Sequence, residues 1–380
     1  MKKRLFTPGP TPVPESVMLR MAEPIIHHRH PEFSELFTRV CENLQYVFQT
    51  AHEVLTLTSS GTGAMEAVVC NVHSPGETAV YVNGGKFGER WGEILRAYGV
   101  NAVEVRVEWG DSVLPGQIQS ALEQHPNARA VYLTHSETST GAATDVKEIA
   151  KVVRERKDVL TIVDGITAVG ALELRMDEWG IDCVVTGSQK GLMIPPGLAF
   201  VAVSPRAWES INSSRCPRYY FDLRAARKAL GSNDTPWTPA ISLLTGLDAA
   251  LAMICREGIE QVWARHARLA TALRSATKAL GLQILAKEPS NALTAIRIPE
   301  SIDSKKFSTF LKKTYGITAA GGQGALAGKI IRISHLGYYD ELDMIAVISA
   351  IEMALTGCGF AFERGAGIRA AQESFLRHSP

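Results

Sequence analysis

The sequence lacks the features that mark several common classes of protein. Its 40 lysine and arginine residues are balanced by 39 aspartate and glutamate residues, and a net charge of +1 gives no basic footprint for nucleic acid or an anionic membrane. No uncharged apolar run reaches the about 18 residues that a membrane span needs. The basic start is followed by Thr7-Pro8-Gly9-Pro10-Thr11-Pro12 instead of an apolar segment, which predicts no signal peptide. We therefore expect a cytoplasmic protein without nucleic-acid or membrane partners.

Cysteine is sparse, and its spacing indicates neither disulfides nor a metal site. The six cysteines are scattered without a CxxC pair, which is typical of reduced thiols. The segment His27-His28-Arg29-His30 groups residue types that can bind metal, but no Cys, Asp or Glu completes a ligand set at a suitable spacing. A polar loop near a substrate mouth, or a subunit contact, is the favoured interpretation. The sequence therefore predicts no metal site.

Short apolar runs alternate with helical patterns through the first part of the chain. Near-continuous apolar runs predict strands that are buried on both faces, and the segments with apolar residues at helical spacing predict helices. The pattern indicates an α/β fold with a mostly parallel sheet between layers of helices, where ligands bind beyond the carboxyl ends of the strands. The predicted strands are 54–57, 78–82, 102–107, 130–134, 159–163, 183–185 and 199–203, and the predicted helices are 32–48, 63–72, 87–98, 118–124 and 146–154.

The length and a later change of pattern indicate two domains. Residues 240–280 are mainly helical with a break near Gly258. Beyond them, a smaller C-terminal α+β domain is predicted from strands at 282–285, 293–298 and 330–333 and helices at 307–314 and 341–355. We predict an extended N-terminal arm over residues 1–20, a large domain over 21–260, a small domain over 261–357 and a tail with weak periodicity over 358–380.

Two polar residues follow predicted strands where a reaction could take place. Lys190 comes after the strand that leads into Gly187-Ser188-Gln189, and an amine held there can form a Schiff base with an aldehyde cofactor. Asp164 ends a buried strand, where a carboxylate is costly unless a positive or donating group meets it. A pyridinium N–H is such a partner, and the pair would make the ring an electron sink. A solvated lysine and a turn aspartate remain the alternatives when each is taken alone.

The segment Ser60-Gly61-Thr62-Gly63 lies between a predicted strand and a predicted helix. Free N–H groups and the helix dipole at such a turn favour a phosphate. Glu66 occupies the third glycine position of a dinucleotide fingerprint, and the lysine of a P-loop is missing. The segment therefore predicts a phosphate site of another kind, with an ordinary capped helix start as the alternative.

Three further residues could complete a site. Thr138 lies in a turn rich in small donors that could hold a ring oxygen or a phosphate, with a bland polar loop as the alternative. Phe87 follows two glycines and could stack on a flat ring, or pack in the core. Arg332, between isoleucines, could grip a carboxylate bidentately or link the two domains.

Taken in this order, the motifs resemble the class V aminotransferases of the fold-type I pyridoxal 5′-phosphate (PLP) enzymes, and among them the alanine–glyoxylate and serine–pyruvate branch. The similarity spans residues 5–355, and the set is specific although each motif singly is not. The motifs that carry it are 7–14, 46–50, 60–67, 135–141, 163–165, 187–190, 195–197, 238–243 and 331–334.

The resemblance implies a role for each candidate. Lys190 would be the Schiff-base lysine and proton shuttle, Asp164 would pair with the pyridine nitrogen, and Arg332 would bind the substrate α-carboxylate. Phe87 would stack on the ring, where related enzymes often carry tryptophan, and Gly9 would line the substrate pocket. The remaining cofactor contacts would be Ser60, Gly61, Thr62 and Gln189 at the phosphate, Thr138 at the side of the ring, and Ile166.

The resemblance also implies a homodimer, because in this family a segment of the neighbouring subunit completes the phosphate site. Here that segment is 234–239, and the sequence does not distinguish Thr235 from Thr238 as the contact.

The implied reaction is ping-pong transamination between alanine or serine and glyoxylate or pyruvate. No second arginine is obvious for a distal carboxylate, although Arg29 and Arg218 remain candidates, so an aspartate or glutamate donor stays open. A cysteine desulfurase of the same fold would need a mobile nucleophilic cysteine, whereas Cys358 lies outside the motifs. A structural subunit without catalytic activity is the third alternative. The presence of Lys190, Asp164 and Arg332 together argues against it.

Overall fold

The computed structural model describes residues 2–377, and a seven-stranded sheet lies at their centre. Its strands are short and almost wholly apolar, because helices cover both faces of the sheet. In chain order the strands are β1 (Arg4–Leu5), β2 (Val54–Leu57), β3 (Thr78–Asn83), β4 (Asn101–Arg106), β5 (Ala128–Thr134), β6 (Ser136–Glu137), β7 (Ala142–Ala143), β8 (Leu160–Asp164), β9 (Cys183–Gly187), β10 (Ala199–Val203), β11 (Leu293–Arg297), β12 (Ile317–Thr318), β13 (Ala320–Gly321) and β14 (Ile330–Ser334).

The central sheet has the order β2-β10-β9-β8-β5-β3-β4. Strands β3, β4, β5, β8 and β9 run parallel, and β10 is antiparallel to both of its neighbours, so the predicted mostly parallel sheet is confirmed. At the carboxyl edge, Thr134 of β5 pairs with Asp164 of β8, which pairs with Val185 of β9. The loops that leave these three strands therefore meet at one place.

Helices such as Lys86–Ala97 and Val146–Arg154 bury one apolar stripe against the sheet, whereas Gly61–Val72 is buried on nearly every side. Gly258 separates α10 from α11 with φ 87°, a conformation that glycine adopts easily, and this is the predicted break. None of the helices in the described part of the chain has the length and hydropathy of a membrane span. The helices are α1 (Glu15–Met21), α2 (Pro31–Phe48), α3 (Gly61–Val72), α4 (Lys86–Ala97), α5 (Pro115–Gln124), α6 (Val146–Arg154), α7 (Met176–Trp179), α8 (Pro205–Ser213), α9 (Leu223–Leu230), α10 (Ile241–Glu257), α11 (Ile259–Ala279), α12 (Ser304–Thr309), α13 (Glu341–Gly357) and α14 (Ala366–Arg377).

The C-terminal region, residues 259–377, packs the antiparallel sheet β11-β14-β13 against helices α11 and α13. The strand predicted at 282–285 is absent from this sheet, where Ile284 makes only an isolated bridge to Ile296. Around this bridge, Leu285 N–H donates to the Ala295 carbonyl at 2.9 Å and Arg297 N–H donates to the Gln283 carbonyl at 2.8 Å, so the segment lies beside β11 and pairs with it over a single residue.

The tail from residue 358, for which the sequence showed only weak periodicity, contains helix α14. Its Ala371 and Phe375 are buried in the same core as Leu273 of α11. The carboxylate of Glu352, on α13, accepts hydrogen bonds from the N–H groups at the start of α14. The helix is thus capped by a residue of another helix, and local sequence does not reveal such a cap.

The N-terminal arm runs from the C-terminal region to the central sheet. Strand β1 pairs with β12. The Phe6 carbonyl accepts a hydrogen bond of 2.9 Å from the N–H of Ser334, the last residue of β14. Further along, Thr11 N–H donates to the Gln189 carbonyl at 3.1 Å. The arm predicted as extended over residues 1–20 ends earlier, because helix α1 begins at Glu15.

Candidate active site

Lys190 lies in the loop after β9, with its side chain almost wholly buried. Its Nζ donates a hydrogen bond of 2.8 Å to the carbonyl oxygen of Pro8 in the N-terminal arm. Burial lowers the pKa of the Lys190 amine to about 8, an effect that Asp164 opposes and that Arg332 and Arg90 reinforce. About a tenth of this amine is therefore uncharged at pH 7, far more than for an ordinary lysine, and the uncharged form is the one that acts as a nucleophile or base.

Asp164 ends β8 and is 3% exposed. Its Oδ1 accepts a hydrogen bond of 2.8 Å from the Ile166 N–H. Burial raises the pKa of the Asp164 carboxyl to about 7; the Ile166 hydrogen bond lowers it and the neighbouring Glu137 raises it further. A buried carboxyl with so few partners fits a donor that carries positive charge, such as a protonated ring nitrogen.

The start of α3 lies beside these groups. A Cβ on Gly61 would be 2.6 Å from Ile166 Cδ1, so the helix approaches the loop after β8 as closely as glycine allows. The N-cap residue Ser60 makes no side-chain hydrogen bond to the helix. Gln189 Oε1 is buried without a hydrogen-bond partner among residues 2–377. Uncapped N–H groups of this kind fit a bound anion such as a phosphate, whereas the amide oxygen of Gln189 needs a donor.

Arg332 projects from β14 toward the turn that follows β5. Its Nε and Nη2 donate to the Gly321 carbonyl at 3.0 and 2.8 Å, and its Nη1 donates to the Thr138 carbonyl at 2.8 Å. The alternative of an interdomain link is thus partly right, although the partners are backbone carbonyls and not a carboxylate. A guanidinium has five N–H donors, so one on each Nη remains for a carboxylate. Burial lowers the pKa of Arg332, which Glu137 opposes.

Thr138 and Gly9 face the same space. The Thr138 hydroxyl pairs with that of Thr167, three residues after Asp164, at 3.0 Å. Gly9 has φ 150°, and a Cβ there would overlap Lys190 Nζ. The arm therefore passes directly over the lysine, and only a glycine fits at that point.

Phe87 lies in the first turn of α4 and is half-buried. The guanidinium carbon of Arg90 is 4.9 Å from the centre of its ring, and Arg90 Nη1 donates to the Thr62 hydroxyl at 3.2 Å. Arg90 links α4 to the start of α3, and sequence reasoning did not single it out. Its spacing of three residues from Phe87 on a predicted helix was a signal that could have found it.

The other residue that sequence reasoning missed is Glu137, which is buried beside Thr138 and next to the start of α4. Its position inside the motif 135–141 was visible, but its partners lie about 50 residues away in sequence.

Two predicted contacts are not brought to this site within one chain. The Thr235 hydroxyl donates to the Trp237 carbonyl at 2.7 Å, and Thr238 is exposed. Trp237 stacks on Tyr219, with ring centres 5.1 Å apart, in a loop whose aromatic rings are largely exposed. No hydrogen bond within residues 2–377 joins either threonine to Lys190 or its neighbours.

Arg218 is removed from the candidates for a distal carboxylate anchor. Its side chain is 3% exposed, and its guanidinium donates to the carbonyls of Cys70, Cys216 and Ile211. These contacts hold the loop after α8 in place. Arg29 is exposed on the surface of the single chain.

Comparison with known proteins identifies the family. The sequence model described as Aminotransferase class-V matches residues 4–346. The chain therefore belongs to the class V aminotransferases, and it is a PLP-dependent enzyme.

Relatives include the soluble hydrogenase small subunit of Synechococcus sp., which is 43% identical over 97% of both chains. The serine–glyoxylate aminotransferase of Hyphomicrobium methylovorum is 37% identical, over 99% of this chain and 95% of the relative. The L-aspartate–glyoxylate aminotransferase of Paracoccus denitrificans is 36% identical, over 98% and 96%. The solved structure of the ureidoglycine–glyoxylate aminotransferase of Bacillus subtilis matches with a TM-score of 0.95 and 28% identity, over 99% and 98% of the two chains.

Proposed function

We propose that this enzyme transfers the amino group of alanine or serine to glyoxylate or pyruvate by a ping-pong mechanism. The observation that carries the proposal is the meeting of a buried amine, a buried carboxyl and a buried guanidinium, those of Lys190, Asp164 and Arg332, at the carboxyl edge of the sheet. Glyoxylate appears in the names of three of the proteins compared above, whereas their amino donors differ. The acceptor is therefore better supported than the donor.

Residues at the carboxyl edge would hold the cofactor. Bound PLP supplies an electron sink for the electrons released at the substrate α-carbon. Asp164 would accept a hydrogen bond from the ring nitrogen and keep that nitrogen protonated. The phosphate would lie at the start of α3, where the donors are Ser60, Gly61, Thr62 and Gln189. Phe87, Thr138 and Ile166 would surround the ring.

Lys190 and Arg332 would act on the substrate. The Lys190 amine, whose pKa burial lowers to about 8, would take the α-proton and return it to the cofactor side. The two remaining Nη donors of Arg332 would bind the substrate α-carboxylate as a fork. Gly9 would form the wall of the substrate pocket opposite, because the arm covers the lysine.

We propose that the working unit is a homodimer in which the loop segment 234–239 completes the partner site. The exposed rings of Tyr219 and Tyr220 stack on Trp237 of this loop, and such an exposed aromatic cluster fits a subunit contact. Of the two threonines in the loop, Thr238 is the better candidate for the partner phosphate, because the hydroxyl proton of Thr235 is used within its own loop. Sedimentation velocity of the holoenzyme measures the mass of the unit.

Aspartate is the second candidate donor, and Arg90 is the observation that favours it. The Arg90 guanidinium makes one side-chain hydrogen bond, to Thr62, and it is close enough to Lys190 to lower the pKa of that amine. The remaining donors of this arginine could bind a distal carboxylate.

A stopped-flow panel of half-reactions tests the proposal. Holoenzyme is mixed with single amino acids, and the absorbance band of the bound cofactor is followed. Fast bleaching by alanine or serine, reversed by glyoxylate, is the expected result. Bleaching by aspartate alone replaces the donor. Conversion of cysteine to alanine, with sulfide released when a thiol reductant is added, replaces the reaction with that of a desulfurase. A protein that binds no added PLP would be a structural subunit.

A further inference from the structure

A buried carboxylate, that of Glu137, lies at the start of α4 and has so far been given no role in binding the cofactor or the substrate. Glu137 Oε2 accepts hydrogen bonds from the N–H groups of Gly88 at 2.9 Å and Phe87 at 3.2 Å. Its Oε1 accepts from the N–H of Ser139 at 3.1 Å and from the hydroxyl of Ser139 at 2.5 Å. Every one of these partners is a donor, so the group they surround must act as an acceptor through both oxygens. N–H donors on both oxygens favour the ionised form, whereas burial raises the pKa of Glu137.

These contacts replace the cap that α4 lacks. Its N-cap residue is Gly85, which has no side chain to offer. The first helical N–H, that of Lys86, donates to the Ser139 hydroxyl at 3.0 Å, and the next two donate to Glu137. A Cβ on Gly85 would be 2.5 Å from Glu137 Cδ, so this approach needs a glycine. The turn after β5 therefore supplies the whole cap of α4.

The same turn also holds the substrate arginine. Thr138, between the two capping residues, accepts the Arg332 Nη1 hydrogen bond on its carbonyl and pairs its hydroxyl with Thr167. Ser136 pairs with Ser290 of the C-terminal region at 2.7 Å. One short segment thus contacts the helix that carries Phe87 and the strand that carries Arg332.

We propose that Glu137 is a positioning residue that fixes the Phe87 end of α4 relative to Arg332, so that the cofactor ring and the substrate carboxylate are held at a set separation. The inference rests on the proposed roles of Phe87 and Arg332. Glu137 would contact neither the cofactor nor the substrate directly. It acts through the backbone of residues 87–88 and through the turn that it shares with Thr138.

A matched pair of substitutions tests the inference. Glu137→Gln keeps the shape but turns an N–H₂ group toward donors that an oxygen accepted, so one set of hydrogen bonds is lost. Glu352→Gln is the control, because Glu352 is equally buried and caps α14 in the same way, far from the site. Both variants are compared with wild type by thermal unfolding, by amide hydrogen exchange of the cofactor-free protein and by equilibrium dialysis against PLP.

We expect both variants to lose thermal stability to a similar extent. In Glu137→Gln, exchange at Phe87 and Gly88 should speed up by roughly tenfold or more, the PLP dissociation constant should rise by roughly tenfold, and the visible circular dichroism of the bound cofactor should weaken. In Glu352→Gln, exchange should speed up only at the start of α14, with PLP affinity and dichroism unchanged.

The inference is wrong if Glu137→Gln loses stability yet binds PLP with the affinity and dichroism of wild type, since Glu137 would then be structural only. If Glu137→Gln does not fold, Ser139→Ala takes its place, because it removes the hydroxyl that caps Lys86 and supports Glu137. The same changes at smaller size are expected, and unchanged PLP binding contradicts the inference. Failure of wild type to bind PLP or to react with the amino-acid panel would instead contradict the proposed function.

Discussion

Helices α3 and α4 begin at the same edge of the sheet, after β2 and β3, but their first N–H groups are treated differently. At α3 no side chain of the described residues caps the helix, and a buried amide oxygen of Gln189 lies unpaired nearby. At α4 the carboxylate of Glu137 and the hydroxyl of Ser139 take up the first three N–H groups. Both starts are rich in glycine, so local composition does not separate them.

The difference shows how one sheet edge can distinguish a ligand-binding helix start from a structural one. A helix start carries partial positive charge and attracts an anion. At α4 the protein provides that anion itself, whereas α3 leaves its charge available to a phosphate. The four predictions below either separate the two helix starts or test what depends on them.

The largest effect should come from removing the lysine while leaving α3 intact. Lys190→Ala should abolish multiple turnover, by roughly a thousandfold or more, because the base is lost. PLP should still bind through its phosphate. Lys151→Ala, at an exposed lysine on α6, is the control. Turnover assays and dialysis measure the two effects, and loss of all PLP binding would show that α3 alone does not anchor the cofactor.

Giving α3 the charge that α4 already has should close it to phosphate. Ser60→Asp would cap the helix with a carboxylate and repel the phosphate, raising the PLP dissociation constant by about ten- to a hundredfold. Ser60→Asn caps the helix without charge, so it should lose the hydroxyl donor and one helix N–H but not repel the phosphate, and a smaller loss of affinity is expected. The difference in PLP dissociation constant between the two variants should become smaller as salt is added, because salt screens the repulsion. Equal affinities at low salt would place the phosphate elsewhere.

Arg332, like the start of α3, has N–H donors that no group of the described residues uses. We propose that these donors bind the substrate carboxylate. Arg332→Ala should raise KM for amino and oxo acids alike. The rise should correspond to a loss of about 1.5–3 kcal/mol of binding free energy if the contact is a charge-assisted hydrogen bond. Arg297→Ala, at an exposed arginine of the paired strand β11, should leave KM unchanged. Steady-state kinetics with both substrates measure the effect. An unchanged KM in Arg332→Ala would require another anchor.

A further effect should be seen in the stability of the cofactor-free protein. Burial raises the pKa of Asp164 from 3.8 to about 7, so between these values the folded protein holds a proton that the unfolded chain has released. The free energy of unfolding should therefore fall as pH rises from 4 to 7. Lys190, whose pKa burial lowers from 10.5 to about 8, has the opposite effect above pH 8.

Asp164→Asn should remove its share of the fall between pH 4 and 7 and leave the rise above pH 8. Urea unfolding of the cofactor-free variant across this range measures both slopes. Parallel curves for wild type and variant below pH 7 would mean that the Asp164 carboxyl keeps its ordinary pKa.

The parts of the fold that sequence predicted are those with a strong local period. Strands such as 183–185 and 199–203 and the break at Gly258 were predicted because burial on both faces and a glycine leave clear patterns. Helix α14 was missed because its cap, Glu352, belongs to another helix. The strand at 282–285 was predicted too long, because a short apolar run does not show over how many residues it pairs with its neighbour, here β11.

The candidate site shows the same division. The sheet rule explains why residues after β5, β8 and β9, such as Thr138, Asp164 and Lys190, could be expected to meet. Glu137 and Arg90 were missed because their importance comes from distant partners, the N–H groups of residues 87–88 and the hydroxyl of Thr62. The spacing of residues along the chain does not reveal contacts with partners that are so distant in sequence.

The passage of the arm over Lys190 has a practical consequence for protein engineering. Residues near a chain terminus are usually regarded as safe to trim or to replace with a linker. Here the Pro8 carbonyl accepts a hydrogen bond from the lysine amine, and the Phe6 backbone is bonded beside the strand that bears Arg332. Shortening the first ten residues would therefore remove contacts of the proposed active site, so truncation libraries and affinity tags are better designed around other parts of the chain.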